Sequence, residues 1–218
     1  MSHYSKKILG FSLIELLVSI GVMSVIFTVV ILNQSKYTDG IALTNLADEI
    51  SSMISQAQVY GTGVKELSTG SGEFNASYGL TFSLLGTTPP LDPNSGSASA
   101  YLYFADRNGN NRYDGDWSCP TGDASECLSR IDITRGNVIE DLCEVRTSGL
   151  DDQCGNSVRR VDIIFVRPST EARLTFFNNG GQSSSQQPTT KVARVKLRSP
   201  SGSTRSVVVY NTGQISVE

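Results

Sequence analysis

This chain is almost without histidine: its one imidazole, His3, stands at the extreme N-terminus. That takes the commonest general base and the commonest metal ligand out of the body of the protein. None of its four cysteines forms a C-x-x-C pair, so a thioredoxin-type centre and a zinc knuckle both lack their spacing. Positive charge is not in excess either. The formal net charge is −3 over 218 residues and charged side chains make up 18%, so no global basic field advertises nucleic acid. Proline does not occur before Pro89, and that leaves a long N-terminal helix without its strongest breaker. No nucleophile has a visible imidazole partner, and Asp151-Asp152 read as solvated loop carboxylates. The expectation is a protein that is not an enzyme.

What the sequence does contain begins with one apolar run. GFSLIELLVSIGVMSVIFTVVIL, from Gly10 to Leu32, holds a single ionisable side chain, Glu15. From Phe11 to Leu32 a helix rising ~1.5 Å per residue covers about 33 Å, enough for the hydrocarbon core of a membrane. Lys6 and Lys7 precede the run and orient its N-terminus toward the cytoplasm. The run is too long for the apolar core of a secretory signal peptide, and no A-x-A site follows it. A plain anchor leaves Glu15 unexplained, because a carboxylate in lipid costs ~2.5–3.5 kcal/mol. Either Glu15 snorkels to an interface or it meets a counter-charge.

From Ile41 the pattern turns amphipathic, with Leu43, Leu46, Ile50, Met53, Ile54 and Ala57 at helical spacing. One helix is expected from about 11 to 60, strained or interrupted near Gly40 and stopped by Gly61 and Gly63. Beyond Gly63 the chain reads as strands: Tyr78–Leu84, Tyr101–Ala105, Leu128–Thr134, Val161–Val166, Arg173–Phe177, Val192–Leu197, Val207–Tyr210 and Gln214–Val217. Low-complexity loops at 86–100 and 178–190 are expected to be exposed. The fold class is therefore α+β: a long N-terminal helix whose second half packs on an antiparallel β-sheet head.

Cys119, Cys127, Cys143 and Cys154 fall in one stretch of the head. Disulfides fit this spacing better than free thiols or a metal, and they place the head in an oxidising compartment. Four cysteines allow three connectivities; pairing of sequence neighbours, 119 with 127 and 143 with 154, is the favoured one.

Two further constellations bear on binding. Asp106, Asn108 and Asn110 set oxygens at alternate positions, followed by Asp114 and Asp116, in the manner of a calcium loop. Against that, no Glu closes the loop and Arg107 and Arg112 bring opposing charge; Asn and Gly also make tight turns unaided. Calcium and a metal-free turn both stand on the sequence alone, and no other cofactor is expected. Near the C-terminus Lys191, Arg194, Lys196, Arg198 and Arg205 cluster. Arg194, Lys196 and Arg198 alternate with apolar residues and so share one strand face. They are candidates for phosphate contacts with DNA, or simply a solvated face.

The N-terminal motif carries a resemblance. Lys6-Lys7-x-x-Gly10-Phe11-Ser12-Leu13-Ile14-Glu15-Leu16 resembles the class III signal of the type IV pilin and pseudopilin superfamily. The resemblance implies that 1–10 is a leader, that a peptidase cuts after Gly10, and that the same enzyme N-methylates Phe11. It also implies that Glu15 is the assembly glutamate, that 11–32 is a transmembrane and filament-core helix, that 33–62 is its amphipathic continuation, and that 63–218 is the head. The stretches YLYFADRNGNNRYDGD, FVRPSTEARLTFF and VKLRSPSGSTRSVVVYNTGQISVE resemble the heads of GspH/FimT-type minor pseudopilins. Some FimT-like proteins bind DNA through a C-terminal G-R-x-R; here that place reads Gly213-Gln214-Ile215-Ser216, without either arginine. The function implied is a structural, minor subunit of a type IV pilus or a type II secretion-like pseudopilus, anchored in the inner membrane with its head outside the cytoplasm. Its partners would be the prepilin peptidase, other pilin or pseudopilin subunits, an inner-membrane assembly platform and, before assembly, membrane lipid. The alternative is a tip-located module that captures DNA or a surface.

Overall fold

The computed structural model describes residues 11–67, 72, 74–86, 96–120, 125–146, 152–183 and 191–218. The expected leader with Gly10, and most of the loops at 86–100 and 178–190, lie outside the described residues. The chain divides into two compact units between Thr38 and Asp39.

The first unit is built on the start of helix α1, Leu13–Thr62. Ser12 caps it. The Ser12 hydroxyl accepts the Glu15 N–H at 3.3 Å, and the Ser12 carbonyl accepts the Leu16 N–H at 3.2 Å. Ser12 and Glu15 thus hold the S-x-x-E spacing of a capping box. Over this stretch the large apolar side chains lie bare on every face, from 53% exposed at Ile26 to 82% at Phe11. By length and composition α1 can cross a membrane.

α1 runs through Gly40 without a break, against the interruption expected there. Thr44 Oγ1 bonds back to the Gly40 carbonyl at 3.0 Å. One glycine in a helix interior costs only about 1 kcal/mol, less than the hydrogen bonds lost by ending a helix whose next turns are packed.

In the second unit Leu43, Leu46, Ala47, Ile50, Ile54 and Ala57 form a buried stripe on α1. Gly61 does not stop the helix, which ends one residue later with the Gly63 N–H on the Val59 carbonyl at 2.9 Å. Gly61 is there for contact instead: a Cβ would collide with the Phe165 carbonyl oxygen.

Among the described residues nine strands follow, in two sheets rather than one. The first sheet has the order β3-β2-β1-β5-β6, from β1 (Ser77–Ser83), β2 (Ala100–Asp106), β3 (Cys127–Asp132), β5 (Arg160–Phe165) and β6 (Ala172–Phe177). The second has the order β4-β7-β8-β9, from β4 (Val138–Arg146), β7 (Lys191–Arg198), β8 (Thr204–Tyr210) and β9 (Ile215–Val217). Every pairing is antiparallel. The principal core takes residues from α1 and from both sheets, among them Ile50, Phe82, Tyr101, Phe165, Leu142 and Val195.

β4 was not expected from the sequence. Its register shifts between Ile139 and Asp141, so the two-residue alternation that marks a strand is lost at Glu140.

The first sheet is covered on both faces, which explains why β1 and β2 are buried at every position. Tyr101, Tyr103 and Ala105 enter the principal core. Leu102 and Phe104 point the other way, into a smaller cluster with Tyr113, Trp117, Cys127 and Ile164. The loop that follows β2 is thus a lid over a second core.

Candidate functional site

The first candidate is the apolar helix with its carboxylate. Between Leu13 and Ile31 the polar side chains are Glu15, Ser19, Ser24 and Thr28. The three hydroxyls each donate to the carbonyl four residues earlier: Ser19 to Glu15 at 2.7 Å, Ser24 to Ile20 at 2.9 Å, and Thr28 to Ser24 at 2.8 Å. They are satisfied inside their own helix, as a lipid solvent demands. The Glu15 carboxylate has no hydrogen bond or ion pair to any described residue, and Phe11, one turn before it, is the most exposed large side chain of the run. Phe11 precedes the cap at Ser12 and so stands outside α1; a helix extended back to it would bring the two positions onto one face. The cleavage point expected beside Phe11 involves Gly10, which lies outside the described residues.

The acidic loop is organised by hydrogen bonds. Asp106 accepts the Gly109 N–H on Oδ1 and the Asn111 N–H on Oδ2, both at 2.8 Å. Asn108 and Asn110 donate their amides to Asp114 Oδ2, which Asn108 reaches at 3.1 Å. Arg112 pairs with Asp114 at 3.1 Å. Asp116 Oδ1 accepts the Ser118 N–H at 2.8 Å. Among the described residues, the carboxylates of Asp106, Asp114 and Asp116 do not converge as a metal-binding group. With its oxygens turned to N–H groups and an arginine on Asp114, this loop does not fit the six to eight oxygens calcium requires. The alternating Asx residues instead build turns, helped by left-handed Gly109 (φ 75°) and Asn111 (φ 62°).

Those turns are anchored from below by a residue the sequence reading missed. Asp162, wholly buried on β5, accepts from Thr81 Oγ1 at 2.6 Å and from the Tyr113 N–H at 2.9 Å. Arg160 grips the same carboxylate through Nε at 2.9 Å and Nη2 at 2.6 Å, and donates onward to the Tyr113 carbonyl. A buried carboxylate with all its acceptor sites engaged is a structural rivet. The sequence signal was faint: the aspartate of RVDIIF faces away from Val161 and Ile163. Glu126 is the second missed acid. It is buried, and its Oε2 accepts the Asp114 N–H at 2.9 Å. Burial pushes its carboxyl above the usual range, the Asp114 N–H pulls it back, and the charges of Asp106 and Asp114 push it further up.

The cysteines join as sequence neighbours, Cys119 to Cys127 and Cys143 to Cys154. The first bridge ties the lid loop to the start of β3. The second ties β4 to the segment where Asp141 Oδ1 accepts the Gly155 N–H at 3.0 Å. Asp141 lies beside Cys143 and Cys154, but sulfurs joined as a disulfide are not thiolate ligands.

Three cations of the basic strand each have an acidic neighbour, two of them sharing one carboxylate. Arg194 pairs with Asp152 at 2.8 Å, Lys196 with Glu140 at 3.2 Å and Arg198 with Glu140 at 3.5 Å. Arg205 does not join them. It stands opposite Leu197 in the β7–β8 register, so it belongs to the other face of the sheet from Arg194, Lys196 and Arg198. Asp152 and Glu140 reach this face from β4 and the segment after it, which linear spacing on β7 could not reveal. The side chain of Lys191 and the residue Asp151 lie outside the described residues. Comparison of the chain with protein families, with curated proteins and with solved structures gives no match in any of the three.

Proposed function

We propose that this protein is a non-enzymatic, pilin-like subunit, inserted in the inner membrane as a precursor and then polymerised through its N-terminal helix. In this reading it is a minor subunit of a type IV pilus or a secretion-type pseudopilus, with its head outside the cytoplasm. One observation carries the reading. Along a helix stretch bare on every face, the serine and threonine hydroxyls are satisfied internally, and Glu15 alone carries a charge, without a partner among the described residues. Cleavage before Phe11 would create an ammonium one turn away. In a helical stack that ammonium on one subunit meets Glu15 on the next, so two costly charges become one pair that sets axial register.

Intact-mass measurement of the purified subunit tests processing. The expected species begins at N-methylated Phe11. A chain retaining Met1, or beginning beyond Leu32, overturns the reading. Gly10→Val should block maturation, because a branched side chain crowds the peptidase. A tip-located module that captures DNA draws less support, since the strand that would meet phosphate is paired with Glu140 and Asp152.

A further inference from the structure

A cavity of about 140 Å³ lies between the second half of α1 and the corner that follows β3. It is smaller than the roughly 300–1,000 Å³ of pockets that enclose whole ligands, and its lining is polar out of proportion to its size. Tyr101 and Asn137 line it. They are 0% and 3% exposed, and Tyr101 Oη and Asn137 Oδ1 are both buried without a hydrogen-bond partner. Buried polar atoms are rarely left unpaired. A carbonyl oxygen such as Asn137 Oδ1 only accepts, so what is missing is a donor.

Charge points the same way. Glu49 lines the cavity from α1, and its carboxylate has no hydrogen bond or ion pair to a described residue. Burial first, and then the Glu49 charge, push the Tyr101 phenol up, so its hydroxyl stays neutral and free to accept. Asp132, also in the lining, is engaged by Arg130 at 3.1 Å. Arg135 brings one positive charge from a corner residue held at φ 59°. With Asp132 held by Arg130, the lining sets the carboxylate of Glu49, which has no ion pair to a described residue, against the guanidinium of Arg135.

We propose that this cavity binds a guanidinium or alkylammonium group, which donates to Asn137 Oδ1 and Tyr101 Oη and is balanced by Glu49. Such a group can come from a free small amine or from an arginine or lysine of a neighbouring protein molecule. The proposal does not depend on the filament reading.

The test is calorimetric titration of the full-length protein in detergent with methylguanidinium chloride at fixed ionic strength, with methylurea as the uncharged isostere. Saturable one-site binding, weaker for methylurea, is expected. Glu49→Gln keeps the shape of an exposed side chain and should weaken methylguanidinium binding about tenfold, the scale of one charge-assisted hydrogen bond. Arg135→Ala removes the competing cation and should tighten it, a gain that a merely structural role does not produce. No saturable binding by the wild type overturns the proposal, as does equal binding by wild type and Glu49→Gln. Native mass spectrometry of the isolated chain then separates the sources. A small cation retained by wild type and lost in Glu49→Gln marks a free ligand; methylguanidinium binding without any retained adduct marks a neighbour's side chain.

Discussion

The two halves of α1 have the same backbone and opposite surfaces. Between Leu13 and Ile31 every large apolar side chain is more than half exposed; between Leu43 and Ala57 a stripe of six is buried against the sheets. The hydrogen-bond ladder is indifferent to this contrast, since a helix satisfies its own backbone in either setting. What differs is the distribution of apolar side chains around the axis. An all-round apolar helix needs lipid or other helices about it, whereas a striped one needs a single packed neighbour. The stability of the second half is therefore folding stability of the head. The first half expresses its energetics only in a membrane or an assembly.

The substitution that should separate the halves most is Glu15→Ala. Alanine is an excellent helix former, so insertion and head stability should be unchanged. If the chain polymerises as proposed, incorporation into filaments should fall more than roughly a hundredfold, because breaking a buried charge pair costs ~3–5 kcal/mol. Immunoblots of sheared filaments against membranes, with the wild-type copy absent, read this. Full incorporation would show that Glu15 does not set the register.

Next come matched truncations in the two halves. Ile50→Ala should lower the denaturation free energy of the head by about 2–5 kcal/mol through lost burial and a cavity. Ile26→Ala, the same chemistry in the exposed stretch, should leave it within about 0.5 kcal/mol. Urea titration of the full chain in detergent, followed by Trp117 fluorescence, compares them. Equal losses would erase the distinction between the halves.

Replacing Cys143 and Cys154 together by Ser should cost the head roughly 2–3 kcal/mol by releasing the unfolded chain. Mass mapping of native, unreduced protein should find no alkylatable thiol among the four cysteines, and free thiols throughout would contradict the pairing.

The smallest effect concerns pH and should also be confined to the head. The Glu126 carboxyl is raised in the folded state, so its protonated form favours folding. That contribution is complete below the ordinary glutamate range and is lost as pH rises through the raised folded value. Glu126→Gln keeps an oxygen for the Asp114 N–H and removes the charge. It should stabilise the head at pH 7 and make no difference near pH 4. A stability gain that does not vanish on acidification would assign the effect to packing.

Much of this arrangement was legible in the linear chain. The helix, eight of the nine strands and the buried stripe on α1 all announce themselves by period, because each depends on neighbours within a few residues. The unread strand, β4, hides behind its shift at Glu140. Gly61 was misread because its reason for being glycine is Phe165, a hundred residues away. The acidic loop looked like a cation site because donor spacing is visible in sequence, whereas the N–H groups that occupy those oxygens are not.

By itself the sequence determined that a membrane-grade helix carries one carboxylate, that an amphipathic stretch continues it, and that a β-rich head with four cysteines follows. These are consequences of composition and short-range period. Only the tertiary structure decided which charges cancel. Glu140 and Asp152 meet the cations of β7 across a strand pairing, Arg205 is turned to the opposite face by register, and Asp162 fastens the loop after β2 from beneath. Coulomb and hydrogen-bond energies depend on separation in space, and folding brings together residues whose separation along the chain says nothing about it.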